Sequence, residues 1–244
     1  MHRIYCSFLN CHIPFFISNI SFFPLFLFLY IIFLFFWTMF IAATANFYNF
    51  MDGINGIAAL SGVICFLLSA LFNVFYSSID PFTFISLVAA GACMGFLPMN
   101  FPSARVFMGD VGSLFLGFLF ASVVLVNSFS INEFLVYISF LFPFYCDEIT
   151  TMAVRLYSGD NILHAHRKHL YQLLVNEMGI SHLKVTIFYA MVQAVYGITM
   201  LIFYSFSDTL LLIMVLFLFF VLFAFFSFAV RQGKKIPFFI RKSP

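Results

Sequence analysis

Apolar residues in this chain come in long uninterrupted runs, and polar residues are confined to the gaps between them. Runs such as Phe22–Phe36 and Leu210–Phe228 show none of the period-two alternation that a lipid-facing β-barrel strand requires. They are apolar on every side, which suits helices that satisfy their own backbone hydrogen bonds within lipid. A helix needs ~20 residues to cross a bilayer core. By that measure seven stretches qualify, at about 22–44, 56–76, 82–98, 111–128, 133–154, 184–205 and 209–230. A shorter eighth, at about 4–18, is interrupted by Asn10, His12 and Pro14, and a turn at Ser18–Ser21 ahead of Pro24 separates it from the next. The pattern predicts an all-α fold: a polytopic membrane helix bundle of 7–8 transmembrane helices, with 1–244 as a single transmembrane domain.

Composition removes the soluble alternative. Of 244 residues, 64% are hydrophobic and 8% are charged, against about 25% charged in a soluble domain. The lipid bilayer is therefore the solvent for most of the chain. A net charge of +2 gives no electrostatic footprint for nucleic acid. The five cysteines, Cys6, Cys11, Cys65, Cys93 and Cys146, have no CxxC spacing and read as small packing residues. Arg3 precedes an apolar run that continues to about Thr44, far longer than a signal-peptide core, which predicts a membrane anchor.

Charge then orients the bundle. With simple alternation of spans, Arg105, Arg155, Arg167, Lys168, Lys184, Arg231 and the basic C-terminus fall on one side. The opposite connections hold Asp80, Glu133 and Asp208 and no Lys or Arg. The positive-inside rule makes the basic side cytoplasmic. Three connections on that side, about 46–56, 99–113 and 155–183, carry nearly all the polar chemistry.

In the first, Asn46, Asn49, Asp52 and Asn55 recur every three residues, which on a helix makes one polar strip ending at Gly53 and Gly56. Helix capping by Asp52 or Asn55 is the alternative. In the second, Phe107-Met108-Gly109-Asp110 leads into an apolar helix. A helix start attracts anions, and an aspartate there can hold Mg²⁺ against a diphosphate; an N-cap is again the alternative. In the third, His164, His166, Arg167, Lys168 and His169 crowd together ahead of Tyr171 and Gln172. That cluster suits phosphate neutralisation, with membrane anchoring or a zinc site of His164, His166 and His169 as alternatives. Asp147 and Glu148 lie inside the fifth span. An intramembrane carboxylate is a functional candidate, although Asp147, Thr151 and Arg155 at four-residue spacing also suit a structural ion pair. Taken together, the loops suit phosphoryl-group chemistry on a charged substrate and a lipid-borne partner.

The segments NFYNFMDGINGIAAL, NFPSARVFMGDVGSLFLG and GDNILHAHRKHLYQLL resemble three signatures of the polyprenyl-phosphate sugar-1-phosphate transferases. This is the glycosyltransferase 4 family, in the superfamily of phospho-N-acetylmuramoyl-pentapeptide transferase. The third segment is most similar to the branch that primes O-antigen and other cell-envelope glycans with N-acetylated sugars. The resemblance covers roughly 40–240 in matching order. It implies a bacterial inner-membrane enzyme that transfers a sugar-1-phosphate from a UDP-N-acetyl sugar to undecaprenyl phosphate and releases UMP with Mg²⁺, with family members able to form homodimers. It further implies Asp110 as metal ligand and Asp52 as its catalytic companion. Phe107 is expected near the uracil, and His166, Arg167 and His169 near the diphosphate or sugar. Asn46, Asn49, Asn55, Asn100 and Gln172 complete the expected substrate-binding set.

Two departures bear on activity. The family carries an adjacent Asp-Asp pair on an earlier loop, yet no Asp-Asp dipeptide occurs here and Asp52 is the first acidic residue. Asn55 stands where many members have Asp. These departures predict a chain lacking the family's N-terminal spans, with a rate lowered by several orders of magnitude. The alternatives are a non-catalytic membrane protein and, behind it, a transporter.

Overall fold

The structure is a computed structural model that describes residues 23–77, 79–161 and 167–233. The described residues are helical with no strand, in the order α1 (Phe23–Phe50), α2 (Ile57–Tyr76), α3 (Pro81–Asn100), α4 (Gly109–Asn127), α5 (Ile131–Ser139), α6 (Phe142–Tyr157), α7 (Leu170–Asn176), α8 (His182–Tyr204) and α9 (Thr209–Arg231). Six of them (α1, α2, α3, α4, α8 and α9) are long and apolar enough to cross a membrane singly. The all-α membrane bundle holds, but the expected count of seven to eight spans exceeds this number. The segment expected at 4–18 lies outside the described residues.

The chain divides into two units, Met1–Phe40 and Ile41–Pro244. In the first, the described residues belong to α1, whose Phe33, Phe36, Trp37 and Phe40 rings pack edge-on or stacked along the helix. In the second, α2 is the central helix, with 72% of its apolar window buried. Gly117 of α4 permits one close crossing: a Cβ there would lie 2.7 Å from both Ala45 Cα and Tyr48 Cβ.

The fifth expected span, 133–154, is broken into α5 and α6 at Phe140–Leu141, just ahead of Pro143. A break in lipid leaves carbonyls without helical partners. Gln193, wholly buried in α8, answers this by donating its Nε2 to Phe140 O at 2.7 Å and to Ser61 O at 3.0 Å.

At one end of the second unit every acid serves helix geometry. Asp80 caps α3 through Thr83 N–H, Glu133 and Ser130 form a capping box on α5, and Asp208 accepts from Leu210 and Leu211 N–H at the start of α9. Asn73, Thr83, Asn127 and Tyr137 form a buried hydrogen-bonded cluster at that end. The three polar connections meet at the other end.

Candidate functional site

α1 runs on to Phe50, six residues past the expected end of its span. Asn46 and Asn49 are therefore helical, whereas Asp52 and Asn55 lie in the turn that follows. This corrects the single polar strip expected over 46–55: the helix stops halfway along it. Asn46 donates Nδ2 back to Ala42 O at 2.8 Å. Asn49 Oδ1 accepts from Ser113 Oγ of α4 at 2.6 Å. That bond ties the end of α1 to the first turn of the helix bearing Asp110.

Asn100 closes the same junction. Buried at the end of α3, it accepts from Gly56 N–H at 2.7 Å and donates to Val106 O at 2.9 Å. Gly56 has φ +79°, and a Cβ there would also strike the Phe101 ring, so glycine is required. Asn55 makes three bonds to two segments: its N–H donates to His182 Nδ1 (3.3 Å) and its carbonyl accepts from Thr186 (2.8 Å), both in α8, while its Nδ2 donates to Pro102 O (3.1 Å). An aspartate could not make the last of these bonds. His182 carried no sequence signal, because it stands alone at the start of α8.

These ties bring two carboxylates together. Asp52 is half-buried and Asp110 is exposed in the first turn of α4, next to Gly109 at φ +69°. Among the described residues neither carboxylate accepts a hydrogen bond, and Asp110 does not cap its helix. Burial, with the charge of Asp110 adding to it, pushes the Asp52 carboxyl up to about 7. Two neighbouring carboxylates without a cation, at a helix start, suit a hard divalent ion. No group of three or more His, Cys, Asp or Glu suited to a metal occurs among the described residues, so the two carboxylates alone would not complete a cation's shell. Phe107, two residues before α4, is 73% exposed.

The third connection is pinned from below. Asp147 of α6 is fully buried and accepts from Leu170 N–H (2.7 Å), Tyr171 N–H (3.3 Å), Tyr189 Oη (2.7 Å) and Thr151 Oγ1 (3.1 Å). Arg231, at the end of α9, donates to Thr151 Oγ1 and to Lys168 O, both at 2.8 Å. His169 is 3% exposed, with Nδ1 3.5 Å from Glu148 and 3.9 Å from Asp147. Burial lowers the His169 pKa, against the opposing pull of Asp147. Gln172 accepts from His169 N–H and donates to Tyr171 Oη. Arg167 is exposed, and Lys168 pairs with Asp160 at 2.5 Å. His164 and His166 lie outside the described residues.

Residues 2–128 match the family described as Glycosyl transferase family 4. A decaprenyl-phosphate N-acetylglucosaminephosphotransferase of Mycobacterium tuberculosis is 31% identical over 191 residues, covering 67% of this chain and 46% of the relative. A protein of the same description from Mycobacterium leprae is 30% identical, over 58% of this chain and 41% of its own length. A phospho-N-acetylmuramoyl-pentapeptide-transferase of Chlamydia trachomatis is 41% identical over 115 residues, covering 46% of this chain and 33% of the relative. The chain thus spans about half the length, or less, of these curated relatives.

Proposed function

Since the chain belongs to glycosyl transferase family 4, the polyprenyl-phosphate sugar-1-phosphate transferases, we propose that it transfers an N-acetylhexosamine-1-phosphate from a UDP-sugar to undecaprenyl phosphate, at the cytoplasmic face of a bacterial inner membrane. The product would initiate an O-antigen or other cell-envelope glycan. One observation carries the reading: Asp52 and Asp110 come from separate connections that the Asn49–Ser113 and Asn100 hydrogen bonds tie together, and neither carboxylate accepts a hydrogen bond among the described residues.

In the reaction, an oxygen of the lipid phosphate forms a bond to the sugar-bearing phosphorus, and the bond from that phosphorus to the oxygen of UMP breaks. Catalysis of this kind is positioning plus charge neutralisation. Asp52 and Asp110 would hold Mg²⁺, which when bound supplies positive charge at the diphosphate. Asn49, whose Oδ1 is taken by Ser113, keeps its Nδ2 for a substrate oxygen. Exposed Arg167 offers a cation for phosphate. Exposed Phe107 offers a face for stacking on uracil. The buried His169 acts on the loop's shape.

The test is UMP release by purified protein supplied with Mg²⁺, undecaprenyl phosphate and labelled UDP-N-acetyl sugars. UMP above the Asp110→Asn control supports the reading, and none above it removes turnover. Metal binding without UMP release would instead identify a membrane protein that keeps the metal and donor contacts without turnover.

A further inference from the structure

Asp147 has no part in the chemistry above, yet it accepts four hydrogen bonds. At 0% exposure it is out of a substrate's reach. Two of its four donors, Leu170 and Tyr171 N–H, are the first amides of α7. Those are the amides a helix start leaves unpaired, so a carboxylate on α6 caps a helix 23 residues further along the chain.

α7 in turn carries Tyr171, fully buried. Its hydroxyl donates to Phe50 O at 2.9 Å and accepts from Gln172 Nε2 at 3.0 Å. Phe50 is the last residue of α1, and its carbonyl is one of those a helix end leaves without a partner. Asp52 follows two residues later. The turn lies flat against the same ring, since a Cβ at Gly53 would fall on the Tyr171 hydroxyl and lie 2.9 Å from Cζ.

We propose that Asp147 and Tyr171 are positioning residues for the metal-binding turn: Asp147 fixes α7, and Tyr171, reaching back from α7, ends α1 and sets where Asp52 stands. This rests on the reading of Asp52 as a metal ligand, and it assigns the intramembrane carboxylate a task in that site without substrate contact. It also explains why residue 53 is glycine although its φ is unexceptional: the space is taken by Tyr171.

The test is hydrogen–deuterium exchange of the full chain in nanodiscs, comparing wild type, Tyr171→Phe, Gly53→Ala, the double variant and Asp147→Asn. Loss of the Tyr171 hydroxyl should speed exchange about five-fold in 47–57 and leave α2 and the far end unchanged. Gly53→Ala should cost less in the Tyr171→Phe background than in wild type, because the two sites touch. Asp147→Asn should loosen both 47–57 and 168–177. Should Asp147→Asn fail to fold, the Tyr171→Phe and Gly53→Ala cycle still decides the matter. Exchange in 47–57 within about two-fold of wild type in Tyr171→Phe, or equal Gly53→Ala costs in both backgrounds, would overturn the proposal. Mn²⁺ binding measured on the same samples separates it from the reading beneath it. Wild-type binding that weakens in Tyr171→Phe supports both. If the exchange pattern appears but wild type binds no Mn²⁺, the link between α7 and the turn stands and the metal reading falls, and with it the positioning role.

Discussion

Replacing Asn100 by Ala should disconnect the loop bearing Asp52 from the loop leading to Asp110. Asn100 is buried and spends both ends of its amide on backbone, accepting from Gly56 N–H and donating to Val106 O. The two losses are unequal. Gly56 is buried, so its N–H finds no water and bears a desolvation penalty of about 1–3 kcal/mol. Val106 is exposed, so its carbonyl regains water and the loss is about 0.5–1 kcal/mol. The sum, about 1.5–4 kcal/mol, corresponds to at least about 10-fold more frequent opening at Gly56. Hydrogen exchange resolved at the Gly56 amide measures this directly, with α8 peptides as an internal reference. Mn²⁺ affinity should fall in the same variant. A Gly56 amide exchanging at the wild-type rate in Asn100→Ala, in a chain otherwise folded, would refute the claim that Asn100 joins the loops.

Three further outcomes follow from the geometry. Gln193→Leu leaves the Phe140 carbonyl unpaired at the break, whereas Ser61 O, inside α2, keeps its helical partner; the change should lower stability by about 1–3 kcal/mol in detergent unfolding, and a loss under about 0.5 kcal/mol would mean that the α5–α6 break does not depend on Gln193. Gly117→Val should cost about 1–3 kcal/mol by forcing α4 away from Ala45 and Tyr48, whereas the same change at Gly91, where a Cβ meets nothing within 4 Å, should be nearly neutral in the same assay. The pKa of His169 is lowered by burial, so below about pH 6.5 the unfolded chain binds a proton that the folded chain resists. His169 should therefore subtract stability as pH drops from 7 to 5, against the opposite contribution of Asp52, whose raised carboxyl takes up a proton more readily in the folded chain; the wild type should accordingly lose more, or gain less, over this range than His169→Asn, and equal pH slopes in the two proteins would show that His169 does not contribute.

Apolar run length located every described long helix, because in lipid hydropathy and secondary structure are the same constraint. Alternation of spans placed the three polar connections on one side, and the bonds among Asn49, Asn55, Asn100, Ser113 and His182 bring residues of all three together. What the sequence hid were partners far apart along the chain. The break at Phe140–Leu141 sits inside an otherwise apolar run between Ser139 and Pro143, and its lost bond is repaired by Gln193, 53 residues away. The three-residue spacing of Asn46, Asn49, Asp52 and Asn55 looked helical throughout, but α1 stops at Phe50, where a tyrosine 121 residues away meets its carbonyl. Asp147 was open to both an ion-pair and a substrate role; its bonds to Leu170 and Tyr171 N–H add a task that spacing does not show, the anchoring of α7. Spacing patterns report neighbours on one helix and are blind to such cross-bundle contacts.

The central claim is that Asp52 and Asp110 hold one divalent cation together with a substrate diphosphate. Electron paramagnetic resonance titration of Mn²⁺ against the purified chain, with and without UDP, tests it most directly. The account predicts one bound Mn²⁺ per chain, tightened by UDP and lost in both Asp52→Asn and Asp110→Asn. Mn²⁺ binding that is indifferent to UDP and unchanged in both variants would contradict it.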